Sequence, residues 1–429
     1  MMENEIITSS YCVNDVHITL NKRGVSTYAK TSYPIRYGAY SEIKTKSFIY
    51  HFNLNGEIRL IQGRGEGWPN PVEWVKRTLG NDWVYYSSGG YHGVFDCMGE
   101  YYAPCLSYGG SSLLDAKPFK WPEVTMAIDG WSGIVASIVS SMKGKSDTTL
   151  WDFFNRVTNQ GASFLSARSS HLHEIIGGRI SVLPPDTRHV DYDVIPVTIA
   201  DGCLYNCGFC SVKSGKQFSA RTKENIFNQI QQLKEFLGLD LRNYNSVFLG
   251  QHDALNAPDE LILLTASKAY DCLMLHQSHM TGANLFLFGS VGSFLSKNLS
   301  FFEEISLLPY RTYINIGLES ADPATLKYLR KPISLEDIER TFERMMLINH
   351  RFDAIEITLN FVLGENLPEN HTPSILSLIR DRLERPFPKG AVYISPLHEY
   401  EKKRYMKDAL HMIKTQSRLP VYYYLIQRL

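Results

Sequence analysis

"DGCLYNCGFCSVKSGKQFSARTKENI" (201–226) places three of the chain's seven cysteines, Cys203, Cys207 and Cys210, within eight positions. Ahead of it stands "VIPVTIA" (194–200), a nearly continuous apolar run of the kind a strand buried on both faces presents. Behind it, 223–236 carries a helical pattern. The alternation then repeats through strands "SVFLG" (246–250), "NLFLFGS" (284–290), "TYINIGLE" (312–319), "AIEITLNFVLG" (354–364) and "AVYISPL" (391–397). Helical segments such as "PDELILLTASKAYDCLML" (258–275) and "TPSILSLIRDRLER" (372–385) separate them. Strands alternating with helices predict consecutive right-handed βα units. An open doubly wound sheet and a curved partial barrel both satisfy that pattern.

The cysteine triplet poses a chemical question. A closed structural zinc site takes four ligands, usually in paired knuckles. No second C-x2-C occurs, and Cys12, Cys97, Cys105 and Cys272 are scattered. A 4Fe–4S cluster normally takes one thiolate per iron, so three leave one iron open to an outside ligand. A cluster with an open position is a reagent rather than a mere electron carrier.

In this spacing, in Phe209 before the third cysteine, and in its place after a first strand, the sequence resembles the radical S-adenosylmethionine (SAM) superfamily. The resemblance covers about residues 191–400. It implies an α/β fold, a (β/α)6 partial TIM barrel preceded by a mixed α/β N-terminal domain. It also implies a 4Fe–4S cluster on Cys203, Cys207 and Cys210, whose open iron chelates the amino and carboxylate groups of SAM. An electron from the cluster then cleaves SAM to methionine and a 5′-deoxyadenosyl radical, which removes hydrogen from a substrate. The difficult chemistry is the cofactor's, and the protein supplies position and exclusion of water.

Three further segments carry the resemblance. "VFLGQHDAL" (247–255) is similar to the family's second-strand ending, with Gln251 and His252 in place of acidic and glycine residues; Gly250 and Asp253 are its candidates near the SAM amino group. "NIGLESADPATLKYLRKP" (315–332) is similar to the fourth-strand segment and directs Glu319 and Ser320 at the ribose or methionyl carboxylate. "LNFVLGENLPENH" (359–371) is similar to the fifth and lays backbone around Gly364 on adenine. Arg221 falls where an arginine often opens the first helix. Each segment ends a strand, where parallel α/β folds bind ligands.

A chain of 429 residues is long enough for two domains. The expected division is 1–190 as the N-terminal mixed α/β domain, 191–400 as the core, and 401–429 as a C-terminal helix and strand extension. In the first part "SFIYHFNLNGEIRLIQG" (47–63) predicts a hairpin with a two-residue turn at Asn55-Gly56. From Gly130 to about Gly178 the pattern is helical, with Asp147 or Ser146 as a cap. "SVLPPDTRHVDYD" (181–193) reads as a boundary, and "VYYYLIQ" (421–427) as a terminal strand on the core rather than a lid.

Lys plus Arg equals Asp plus Glu at 44 each, which disfavours nucleic acid as a partner. No secretory signal and no stretch of about 18 apolar residues is visible, so the chain reads as cytoplasmic with no membrane contact. The resulting expectation is an oxygen-sensitive radical SAM enzyme acting on a small organic or peptide-like substrate, reduced by a donor such as flavodoxin or ferredoxin. A radical methyltransferase or a sulfur-inserting enzyme is the alternative within the superfamily. No D-x-H-x-x-G-like segment supports the first, and no second cysteine cluster supports the second. A non-catalytic iron–sulfur or zinc module is the alternative outside it. Cys12, Cys97 and Cys105 are read as ordinary thiols rather than ligands of an auxiliary cluster.

Overall fold

The computed structural model of the chain describes residues 7–28, 36–65, 67–89, 94, 100–108, 116–142, 147–205, 207–210, 215–397 and 403–429. Eight antiparallel strands come first: β1 Ser9–Val13, β2 Val16–Arg23, β3 Ala39–Lys44, β4 Phe48–Phe52, β5 Ile58–Gly63, β6 Trp74–Arg77, β7 Trp83–Ser87 and β8 Ala103–Leu106. Each pairs with the next in order, so β1 and β8 are the edges. The loop between β4 and β5 is one residue wider than a two-residue turn. Asn53 and Glu57 form its closing pair, the Asn53 side chain accepts from the Asn55 and Glu57 amides, and Gly56 takes the left-handed conformation at φ 91°.

Helices Pro122–Ser141, Thr148–Thr158 and Ala162–Ile176 follow and cover this sheet. The sheet's Phe52 meets Trp131 and Phe153 edge-on at 5.9 and 5.7 Å, a geometry aromatic quadrupoles favour. Asp147 caps the second of these helices, accepting from the Leu150 amide at 2.9 Å, and Ser146 lies outside the described residues. Contrary to the sequence expectation, helix Pro122–Ser141 is long and apolar enough by composition to cross a bilayer. Its serines and glycines break up the apolar run by eye while leaving the mean hydropathy high. Val124, Ala127, Trp131, Val135 and Ile138, at three- and four-residue intervals, are buried on one face of it.

The second half contains β9 Ile195–Val197, a short antiparallel pair β10 Ala200–Asp201 and β11 Ser219–Ala220, then β12 Ser246–Leu249, β13 Asn284–Gly289, β14 Arg311–Glu319, β15 Ile355–Leu363, β16 Val392–Pro396 and β17 Val421–Tyr423. Seven of them form one parallel sheet in the order β9, β12, β13, β14, β15, β16, β17. A doubly wound sheet reverses its order at a switch point. No reversal occurs here, so the sheet is wound in one direction as a partial barrel is. Six strands were legible as βα units; β17, from "VYYYLIQ", adds a seventh.

The supposed boundary at 181–193 is buried rather than exposed. Its 3-10 turn Pro185–Val190 packs against side chains of the parallel strands: Asp186 meets Tyr393 and Thr358, and His189 stacks on Tyr313. At its end Asp191 and Tyr192 both take left-handed backbone, at φ 53° and 61°, which costs non-glycine residues energy. Lys76 on β6 holds the junction, donating to Asp191 at 2.7 Å and Asp193 at 2.9 Å. Arg59 on β5 donates to Asp193 at 2.6 Å, while the Tyr37 and Tyr86 hydroxyls donate to Asp191 at 2.6 and 2.8 Å.

Burial opposes the Asp193 charge, but Lys76 and Arg59 more than compensate and hold its carboxyl below the usual range. This contribution to stability is therefore full above about pH 4 and is lost as pH falls further. Lys76→Met leaves two buried carboxylates short of a cation. Urea denaturation of that variant should show a loss of about 3–5 kcal/mol at neutral pH.

Candidate functional site

The parallel strands all end on one rim, and the cysteine loop leaves the first of them. Arg221 fixes where that loop departs and returns. Its guanidinium grips Asp201 through two bonds of 2.8 Å and donates to the Ile176 carbonyl at 3.0 Å, while its amide donates to the Ile199 carbonyl. Gly202 turns the chain at φ 77°, where a Cβ would stand 2.2 Å from the Gln217 carbonyl oxygen. Farther along, the Tyr205 hydroxyl accepts from the Gly292 amide at 2.9 Å, and the Gly208 amide donates to the Leu329 carbonyl at 3.1 Å. The loop is thus tied to the segments after β13 and β14 as well as to its own strand.

Cys203, Cys207 and Cys210 all line one cleft, together with Tyr205, Phe209, Gln251, His252, Asp253, Gly317, Glu319, Lys331 and Asn360. The cleft encloses ≈ 1090 Å³, open solvent at its mouth included. Val182, Phe288, Val362, Leu397, Tyr424 and Ile426 give it an apolar wall. The C-terminal segment after β17 therefore borders the site, rather than merely packing on the core. Burial pushes the Cys203 thiol up to about 11 and raises Cys207 as well, with neighbouring thiols and Asp253 adding to the rise at Cys203. Among the described residues, no three Cys, His, Asp or Glu side chains are arranged to hold a metal ion. A cubane does not require such convergence, because each thiolate binds a different iron.

Asp253, three residues after the β12 strand turns at Gly250 (φ 74°), is buried. One carboxylate oxygen accepts from the Ser290 amide at 2.8 Å and the Ser293 hydroxyl at 2.7 Å. The other, Oδ2, is buried and has no partner among the described residues. Gln251 is anchored instead by the Ser181 amide and hydroxyl, at 2.5 and 2.8 Å. Burial lowers the pKa of His252 despite the Asp253 charge, so its imidazole is neutral at pH 7.

Glu319 sits at a bulge, where pairing between β14 and β15 slips between Gly317 and Glu319. Its φ of 65° turns the carboxylate off the strand's alternation and onto Lys331 at 3.1 Å. Burial works against the Lys331 charge, but Glu319 and the Cys207 thiol more than offset it and raise its pKa. A Cβ at Gly317 would lie 2.4 Å from the Glu319 carboxylate, so glycine makes this folded-back arrangement possible. Asn360 on β15 lines the cleft, and its carbonyl Oδ1 has no partner among the described residues.

The remaining sequence candidates are placed less directly. Phe209 lines the cleft. Gly250 lies beside Gln251, its amide bonded to the Val197 carbonyl at 2.8 Å. Ser320 is fully buried outside the lining. It bonds His371 at 2.9 Å, and the other ring nitrogen of His371 bonds the carbonyl of cleft-lining Val362. The Gly364 carbonyl accepts from Tyr405 at 3.1 Å. Sequence reading missed Lys331, Asn360 and Tyr205, whose roles arise from strands and loops remote in sequence. Cys12 and Cys105 lie on β1 and β8, opposite edges of the antiparallel sheet, and Cys97 lies outside the described residues.

Residues 197–379 match the family model described as the Radical SAM superfamily. That segment is a radical SAM domain, and such a domain supports an enzyme whose cofactors are a 4Fe–4S cluster and SAM. No curated protein matches the sequence. Among solved structures, the chain is similar to a radical SAM methyltransferase from Sphaerobacter thermophilus, at 14% identity and TM-score 0.36, over 54% of this chain and 67% of that one. It is similar to Streptococcus suis SuiB at 9% identity and TM-score 0.37, over 89% and 71%. The cobalamin-dependent SAM radical enzyme OxsB is matched at 14% identity and TM-score 0.34 over 52% of this chain, which spans only 31% of that protein's length. Likeness at this level decides neither substrate nor reaction.

Two outcomes are expected. In metal-free protein at about pH 8.5, iodoacetamide should alkylate Cys203 at less than about a tenth of the rate of an unperturbed thiol, and the rate should climb toward pH 11. Mass spectrometry of the labelled peptide measures this. Gly317→Ala should lower stability by about 1–3 kcal/mol in urea as the Glu319 carboxylate is driven off Lys331.

Proposed function

We propose that the cleft seats the 4Fe–4S cluster on Cys203, Cys207 and Cys210 beside SAM, and that the enzyme abstracts hydrogen from a small organic or peptide-like substrate. One observation carries this reading: a buried Asp253 oxygen with no partner among the described residues belongs to a side chain that lines the same cleft as the three thiols. A buried carboxylate oxygen left unpaired is costly unless a ligand donor meets it. The ammonium of SAM is such a donor.

The residues fit the group they would hold. Three thiols supply three irons, and the Lys331 cation beside Cys207 favours its thiolate. Asp253 takes the amino group of SAM, with the backbone after Gly250 beside it. Glu319, kept in place by Lys331, and Asn360 offer acceptors to the ribose hydroxyls. Ser320 acts through His371 by fixing the end of β15, and the chain around Gly364 lies against adenine. When bound, cluster and SAM together supply a 5′-deoxyadenosyl radical for hydrogen abstraction. The chain's part is to orient and to exclude water, which the wall of Val182, Phe288, Leu397, Tyr424 and Ile426 does. His252, neutral and facing the cleft, is available to a substrate proton.

The division into 1–190, 191–400 and 401–429 is proposed with shared duties. Val182 from the first part and Tyr424 and Ile426 from the third complete the cleft of the second. A flavodoxin- or ferredoxin-type donor, a cytoplasmic setting and oxygen sensitivity accompany the reading.

The test is anaerobic reconstitution followed by dithionite and SAM. Wild type should release 5′-deoxyadenosine, and deuterium from a labelled substrate should enter it. Radical methyl transfer, which spends a second SAM as methyl donor, would add S-adenosylhomocysteine to the products. The triple variant Cys203/Cys207/Cys210→Ala should lose essentially all iron and all product, and iron retained there in cluster stoichiometry contradicts the assignment. Asp253→Asn should weaken SAM binding at least about tenfold by calorimetry while iron content stays unchanged.

A further inference from the structure

Asn360 ends a file of buried side chains that runs down inside the parallel sheet, away from the cleft. Its Nδ2 donates to Asn315 Oδ1 on β14. Asn315 Nδ2 donates to Thr358 Oγ1 at 2.8 Å, and that hydroxyl donates to Asp186 Oδ2 at 3.0 Å. Tyr393 donates to Asp186 Oδ1 at 2.7 Å and itself accepts from Arg188 Nε at 3.1 Å. All of these side chains are buried. Every hydrogen bond in the file points toward Asp186.

That direction has a cause. An ionised carboxylate only accepts. With Asp186 charged, Thr358 must donate to it, so Thr358 oxygen is free to accept from Asn315, and Asn315 oxygen to accept from Asn360. The Asn360 amide is then left with one orientation, because its reverse would set two carbonyl oxygens against each other. Its Oδ1 is the atom that remains, buried and unpartnered, on a residue lining the cleft.

We infer that Asp186 is a positioning residue, whose charge determines whether Asn360 offers the bound ligand an acceptor or a donor. This rests on the reading of the cleft as the SAM site. With a proton on Asp186, its hydroxyl donates to Thr358 and the file reverses. Asn315 turns its oxygen to Thr358, Asn360 turns its oxygen to Asn315, and the Asn360 NH2 faces the ligand instead.

The surroundings place that change near neutrality. Burial pushes the Asp186 carboxyl up to about 7; the Tyr393 bond opposes this, Glu356 on β15 adds to it, and Arg188 and Thr358 oppose it. Tyr313 on β14 and Tyr424 after β17 also face this charge. Above pH 7 the carboxylate form presents the acceptor, and a ligand hydroxyl or amino group is held. As pH falls through 7 that bond is lost.

The test is calorimetric titration of SAM into anaerobically reconstituted wild type, Asp186→Asn and Thr358→Val, at about pH 6 and about pH 8.5. Wild-type Kd should rise roughly three- to tenfold from the higher pH to the lower. Asp186→Asn, which donates to Thr358 at every pH, should bind weakly at both. Thr358→Val keeps the shape of the threonine and cuts the file, so its Kd should lose this pH dependence; its thermal unfolding should fall, because Asp186 and Asn315 each lose a partner, and binding is compared at a temperature where both proteins are folded. A pH profile of Asp186→Asn that superimposes on wild type overturns the inference and leaves the cleft reading standing. Wild type that binds no SAM at either pH overturns both.

Discussion

Parallel strands wound in one direction deliver all their carboxyl ends to a single rim, and the rest of this molecule depends on that constraint. Cys203, Asp253, Glu319 and Asn360 come from four different strands or the turns after them, far apart in sequence. They share a cleft because β9, β12, β14 and β15 point the same way. The strands supply direction and the loops supply chemistry. What keeps the loops from drifting is a small set of clamps: Arg221 on Asp201, Tyr205 on the Gly292 amide, Gly208 on Leu329.

Charge inside the molecule is handled in two contrasting ways. At the junction between the two sheets, Lys76 and Arg59 neutralise Asp191 and Asp193 almost completely, and these pairs hold a backbone that the φ angles of Asp191 and Tyr192 disfavour. In the cleft, compensation is deliberately incomplete. Among the described residues Asp253 keeps one oxygen unpaired and Asn360 its carbonyl, and burial raises the thiols of Cys203 and Cys207. Buried polar groups without partners are rare in folded proteins, and two of those among the described residues, on Asp253 and Asn360, line the same cleft as the three thiols.

Much of the parallel-sheet half was legible because its signals are local. The cysteine spacing, the six strand runs and the β-strand endings at Asp253 and Glu319 each sit within a dozen residues. The choice of a singly wound sheet over a doubly wound one was not legible, since periodicity records which residues are strands and not the order in which they pair. Lys331 was hidden because its partner, Glu319, is reached only through a bulge. Asn360 looked like one more strand residue. "SVLPPDTRHVDYD" misled most: prolines and charges read as a linker, whereas Asp186, Arg188 and Asp191 are buried against partners more than a hundred residues away in sequence. Composition signals exposure only when no distant group satisfies the charge.

Electron paramagnetic resonance of the reduced, anaerobically reconstituted protein, with and without SAM, tests most directly whether three cysteines leave an iron open to that ligand. A cluster held by Cys203, Cys207 and Cys210 alone should change its signal when SAM is added, because the ligand enters the coordination sphere of the fourth iron. A cluster signal identical in the presence and absence of saturating SAM would contradict an open iron at this site.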